Sequence, residues 1–133
     1  MFTLCVADFV MIAHSLAGEF FGPAQRLHGA TLTVEAELKC SALDGHGVVV
    51  DIGEFRSKLR SVLHALDYQN LDEHPAFPNR SSTTERIAQY ICGTLLSELQ
   101  SGSKSGALQA GSLRVVLRES PVAWVAYEQT IPG

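Results

Sequence analysis

In the first third of the chain, apolar and polar residues alternate with a period of two. Residues 3–13 are rich in β-branched and apolar types and predict a strand. Residues 27–39 alternate more cleanly. Leu32, Val34, Ala36 and Leu38 fall on one face, and Thr31, Thr33, Glu35, Glu37 and Lys39 on the other. Such a strand buries one face and wets the other. Residues 41–47, carrying Asp44-Gly45, read as a turn. The period then changes to that of a helix. Asp51-Ile52-Gly53-Glu54 has the form of a capping box, with an acceptor at the N-cap and Glu three residues on. The helix it opens sets Phe55, Leu59, Val62, Leu63 and Leu66 on one stripe, with Arg56, Lys58 and Arg60 in solvent. Residues 67–80 read as a long loop containing Pro75 and Pro78. Ser82-Thr83-Thr84-Glu85 has the form of a second capping box, before a helix with Ile87, Ala88, Ile91, Leu95 and Leu99 at helical spacing. Residues 101–106 form a Gly/Ser/Lys linker. Residues 113–118 and 122–127 are two further strands, broken at Pro121.

The order ββααββ predicts an α+β domain spanning 1–133, a four-stranded antiparallel sheet with two helices on one face. A sheet this small leaves edges exposed, and neighbouring subunits commonly close such edges. At 133 residues the chain suits one domain with a modest core. A net charge of −4 argues against a nucleic-acid partner. No apolar stretch is long enough to cross a bilayer, and Asp8 interrupts the N-terminal apolar run, so no membrane association or signal peptide is expected. Cys5, Cys40 and Cys92 are odd in number and lack C-x-x-C spacing. That fits reduced thiols in the cytoplasm.

Several short pieces, in order, carry a resemblance. They are Ala13-His14, Leu27-His28-Gly29, Gly47-Val48-Val49-Val50-Asp51, Leu66-Asp67, Asn70-Leu71, Thr83-x-Glu85-x-x-Ala88, and Arg118-Glu119 followed by Ala126-Tyr127. Together they resemble the 6-pyruvoyl-tetrahydropterin and 6-carboxy-tetrahydropterin synthase family over nearly the whole chain. The resemblance implies the T-fold, in which subunits join into a β-barrel, a homo-hexamer built as a dimer of trimers, and active sites at subunit interfaces. It also implies a zinc ion held by three histidines, a catalytic cysteine just before the His-Gly-His, and an Asp-His relay. His14 and His28 match two zinc ligands, and Ala30 stands where the third would be. Ala24 or Gln25 occupies the place of the cysteine. Asp67 matches the relay aspartate, and Tyr68 replaces its histidine.

These departures reshape the candidate chemistry. A catalytic zinc needs three protein ligands and an open position. Alanine has no lone pair, so no zinc cofactor is expected, and His14 and His28 remain as residues contacting a ligand. Glu19, in the same loop, is the candidate replacement ligand. His46 lies at the far end of the hairpin, and His64 and His74 stay open as contributions from neighbouring subunits. Tyr68 is a poor base, since an unperturbed phenol titrates near 10. Asp67 either acts directly or fixes the loop after the helix. Glu119 matches the family's ring-reading glutamate. A pterin or guanine-like edge offers an N–H beside an NH₂, and a carboxylate accepts both. Arg118-Glu119 also reads as an ordinary surface charge pair. Thr83 resembles a residue that assists ring recognition, and it also suits a helix cap. Phe20-Phe21 suit either stacking on a planar ring or packing.

Three functions follow. The first is a protein that binds a pterin-like or related purine-derived ligand and lacks the usual synthase reaction. The second is a zinc-dependent pterin or deazapurine-pathway synthase or lyase with a relocated third ligand. The third is a non-catalytic binding or assembly protein.

Overall fold

The computed structural model describes the whole chain except Ser103 and Ser105, which fall within the linker expected over residues 101–106. The long strands are β1 (Phe2–His14), β2 (His28–Cys40), β4 (Gly111–Ser120) and β5 (Ala123–Ile131). A two-residue strand, β3 (Gln69–Asn70), follows the first helix. The helices are α1 (Ile52–His64) and α2 (Thr84–Gln100), with 3₁₀ segments at Glu19–Gln25 and Leu71–Glu73. The sheet order is β3-β1-β2-β4-β5. Every pairing is antiparallel except β1 with β3. The expected four-stranded sheet therefore has a fifth strand, a short parallel addition on the edge of β1.

Alternation decides which face of the sheet the helices cover. Val6, Val10 and Ile12 of β1, Leu32, Val34, Ala36 and Leu38 of β2, and Leu113, Val115 and Leu117 of β4 are all buried on it. Against them α1 buries Phe55, Leu59, Val62 and Leu63, and α2 buries Ile87, Ile91, Leu95 and Leu99. α1 lies over β1, and α2 over β4 and β5. Among the described residues, no helix covers the other face. There Glu35 pairs with Arg118, Glu37 pairs with Arg114, and both guanidinium groups lie over the Trp124 ring. Gly111 lets β4 approach β2 closely, since a Cβ there would stand 1.7 Å from the Lys39 carbonyl oxygen.

α1 begins as its sequence predicts, with Asp51 accepting from the Glu54 N–H at 2.9 Å. The second cap sits one residue later than the capping-box pattern implies. Thr83, not Ser82, is the N-cap, and its side chain accepts from the Arg86 N–H. Ser82 is instead fully buried and turned toward β1.

The strands stand nearly in register, so the sheet has two defined ends. One end is the row Phe2, Cys40, Gly111 and Ile131. Near the other end His14 faces His28 across β1 and β2, and β4 carries Glu119 one residue before its last.

Candidate functional site

The two histidines meet because β1 and β2 pair without a slip up to their last residues. Their rings stand edge to face with centroids 4.6 Å apart. Each Nδ1 is tied to a main-chain carbonyl. That of His14 lies 2.9 Å from Ser82 O and 3.0 Å from Ser82 Oγ, and that of His28 lies 2.8 Å from Arg26 O. A ring nitrogen facing a carbonyl carries the proton and donates it, which leaves the lone pair on Nε2 of each ring. This is the arrangement by which histidines are held ready for a metal ion or for a ligand's hydrogen-bond donor. Burial holds His14 below the usual histidine pKa.

Ala30 stands two residues after His28 on the same strand face, opposite Ile12. Among the described residues, no group of three or more His, Cys, Asp or Glu side chains lies close enough to hold a metal ion. Glu19, on the 3₁₀ segment, does not complete one. Within one chain the donor set is two imidazoles, which does not fit a three-ligand catalytic zinc. His46 lies at the opposite end of the sheet beside Phe2. His74 packs against Phe77 and Tyr90, and His64 ends α1.

Glu119 reaches this end of the sheet through a β-bulge. The β4–β5 register shifts between Arg118 and Ser120, leaving Glu119 unpaired. The Thr84 hydroxyl, itself buried, donates to Glu119 Oε1. The carboxylate is close enough to His14 for its charge to act there. Three consecutive residues thus have three separate tasks. Ser82 fixes His14, Thr83 caps α2, and Thr84 holds Glu119. The family resemblance points to Thr83 for ring recognition, and within one chain it is the neighbouring Thr84 whose hydroxyl touches the glutamate. The signal for Thr84 was its place directly before Glu85 in the same motif.

A second network braces the loop between β1 and β2. Asp72 accepts from Ser15 N at 2.9 Å and from Ser15 Oγ at 2.5 Å. Arg80 donates from Nε to Ser15 Oγ and from Nη2 to the carbonyls of Leu16 and Gln25. Asn79 and Arg80 both take positive φ to make that turn. Sequence reasoning missed Ser82, Asp72 and Arg80, because each acts across the chain on a strand far away in sequence. Of the two phenylalanines in the loop, Phe20 is 92% exposed. Phe21 lines a cavity of about 260 Å³ with Arg80, Thr83 and Arg86.

Asp67 and Tyr68 lie apart from the imidazole pair. Asp67 Oδ1 accepts from Met11 N at 2.9 Å, and Tyr68 N donates to Met11 O at 2.7 Å. Both brace the edge of β1, three residues before His14. Tyr68 has φ +58° and its side chain stands out into solvent.

The fold and this site define a class, a sheet-and-helix subunit with an imidazole pair and a carboxylate at one end. The sequence pattern of the 6-pyruvoyl tetrahydropterin synthase family matches residues 3–130. The chain belongs to that family, and its fold is the α+β T-fold that the resemblance implied. It is 24% identical over 119 residues to the 6-carboxy-5,6,7,8-tetrahydropterin synthase of Bacillus subtilis (strain 168), a match covering 89% of this chain and 79% of that protein. It is similar in structure to the 6-pyruvoyl tetrahydropterin synthase of Caenorhabditis elegans, with a TM-score of 0.79 and 25% identity over 96% of this chain and 95% of that one. The Plasmodium vivax 6-pyruvoyl tetrahydropterin synthase shares the fold at a TM-score of 0.71 and 23% identity, over 97% of this chain and 98% of that one.

Proposed function

We propose that this chain binds a pterin-like or related purine-derived ring, and that it does so without the zinc-dependent synthase reaction. Glu119 is the ring-reading group. Its two oxygens accept from an adjacent N–H and NH₂, a charge-assisted bidentate pair. Thr84 fixes its direction, and Thr83 stands one residue away at the start of α2. His14 and His28 turn their free Nε2 atoms to the remainder of the ligand as hydrogen-bond acceptors. The relatives named above are synthases that their names link to tetrahydropterin, which supports the choice of ring.

One observation carries the second half of the proposal. His14 and His28 are held ready side by side, and the position that would complete the set is Ala30. The chain also has Ala24 and Gln25 before His28, and Tyr68 after Asp67, where the resemblance calls for a cysteine and a histidine. Without a thiolate or a third imidazole, neither the metal site nor the proton relay has its parts. In this account Asp67 braces β1, and the working protein is a hexamer in the cytoplasm.

Elemental analysis tests this reading, on protein purified without chelator or affinity-tag metal. The expected zinc content is near zero. Zinc near one per chain would overturn the metal-free reading and send the search for the third ligand to Glu19 and to neighbouring subunits.

A further inference from the structure

Pairing of β1 with β2 fixes the main chain of His14 and His28 and stops there. Where each ring points depends on the carbonyl that takes its Nδ1 proton. For His14 that is Ser82 O, on a fully buried residue just before α2. For His28 it is Arg26 O, on an exposed loop residue just before β2. A surface loop is mobile unless something ties it down. The Arg26 carbonyl therefore aims steadily at His28 only if its stretch of chain is held from elsewhere.

The hold converges on one side chain. Arg80 donates from Nε to Ser15 Oγ at 2.7 Å, and from Nη2 to Leu16 O at 3.1 Å and Gln25 O at 2.6 Å. Its own carbonyl accepts from Ala17 N at 3.1 Å. Residue 80 thus joins the stem that leaves His14 to the stem that returns to His28. The first acceptor is itself fixed, because Ser15 Oγ donates to Asp72. On the second stem the Gln25–Arg26 peptide is gripped at both polar atoms. Arg80 takes the Gln25 carbonyl, and the Arg26 N–H donates to Pro23 O at 3.1 Å. The next carbonyl along the chain is the one that meets His28. A planar fork of donors suits three acceptors at fixed positions, which a lysine does not reproduce. Asn79 and Arg80 reach this arrangement at φ +58° and +55°, values that side chains with a Cβ hold only where their surroundings impose them.

We infer that Arg80 is a positioning residue for the ligand site, whose guanidinium locks the Gln25–Arg26 peptide so that the Arg26 carbonyl keeps His28 in the tautomer that offers Nε2. Its part in ring binding rests on the reading proposed above, and its part in fixing the tautomer does not. A neutral imidazole without a fixed partner shares its proton between Nδ1 and Nε2, and a protonated Nε2 has no lone pair for a ligand's N–H. His14 needs no such help, since Ser82 holds it directly. Loss of the clasp therefore falls on one histidine of the pair, and it leaves the apolar core untouched.

The test compares the full chain with Arg80→Gln, which removes the fork and the charge. Ring nitrogens of isotope-labelled histidine report the tautomer by NMR, without ligand and at about pH 8.5, above the ordinary imidazole range. In the native chain His14 and His28 should both carry the proton on Nδ1. In Arg80→Gln, His28 should become a mixture of tautomers and His14 should not change. In calorimetric titrations with pterin, Arg80→Gln should bind about tenfold more weakly, the worth of one hydrogen bond. In a His28→Gln background the same change should cost less than about twofold, because the residue it acts through is gone. If Arg80→Gln loses the native circular dichroism spectrum, Arg80→Lys, with one ammonium in place of the fork, is measured instead. A His28 that keeps its Nδ1 proton in the variant would overturn the inference. So would an equal loss of affinity with and without His28, the mark of a general loosening of the fold. A native chain that binds no pterin would sink the ring reading alone, and the tautomer result would still decide the role of Arg80.

Discussion

Ala30→His should rebuild a zinc site. The position lies two residues along β2 from His28, about 6.6 Å at the usual rise of a strand, with its side chain on the same face. The two existing imidazoles are already oriented by Ser82 and Arg26, so the new ring joins a prepared pair. A structural zinc site contributes about 10–16 kcal/mol over its four ligands, or about 3 kcal/mol for each. Against this stands overpacking, since Ala30 is half-buried against the core, and extra volume there costs about 1–3 kcal/mol of stability. The stability cost affects folding, and the ligand's contribution appears in zinc affinity. Zinc binding, measured by competition with a chromogenic chelator, should tighten about 100-fold over the unaltered chain, and zinc should raise the variant's Tm. Equal zinc affinity in the two proteins would refute the reasoning, because the unaltered chain would then hold a third ligand that this account lacks.

Other perturbations read the rest of the structure. Burial holds the His14 pKa below its ordinary value of about 6.5, so the unfolded chain takes up that proton first. Stability is complete above about pH 6.5 and falls as the pH drops toward the folded value. Urea midpoints between pH 7 and 5 should show a steeper decline in the native chain than in His14→Gln. Phe55 is fully buried under α1, and Phe55→Ala should cost about 3–5 kcal/mol in urea unfolding. Gly111→Ala drives a methyl group into the Lys39 carbonyl and should cost more than about 3 kcal/mol, seen as a large fall in Tm by circular dichroism.

Much of the fold was legible because its signals are local. The alternation in β2 and the apolar stripes of α1 and α2 each need only neighbouring residues. All of Phe55, Leu59, Val62, Leu63 and Leu66 are buried, as the stripe implies. β3 was not legible, since two residues carry no periodicity and its pairing depends on Asp67 meeting Met11 across the fold. β5 runs to Ile131 through its pairing with β4, beyond the expected end at Tyr127, and the extension was not legible because Glu128, Gln129 and Thr130 carry no apolar alternation. Around the site, His14, His28 and Glu119 were visible by resemblance to family motifs. Ser82 was not, because a serine before a helix reads as a cap. Only the arrival of β1 turns it into the partner of a histidine.

The most direct test of the account is a calorimetric titration of pterin into metal-stripped protein, alongside Glu119→Gln. The account predicts saturable binding with one site per chain in the absence of zinc. It also predicts a loss of about 10- to 100-fold in affinity for Glu119→Gln, the worth of a hydrogen bond to a charged group. Pterin binding that appears only when zinc is added, or that is unchanged in Glu119→Gln, would contradict it.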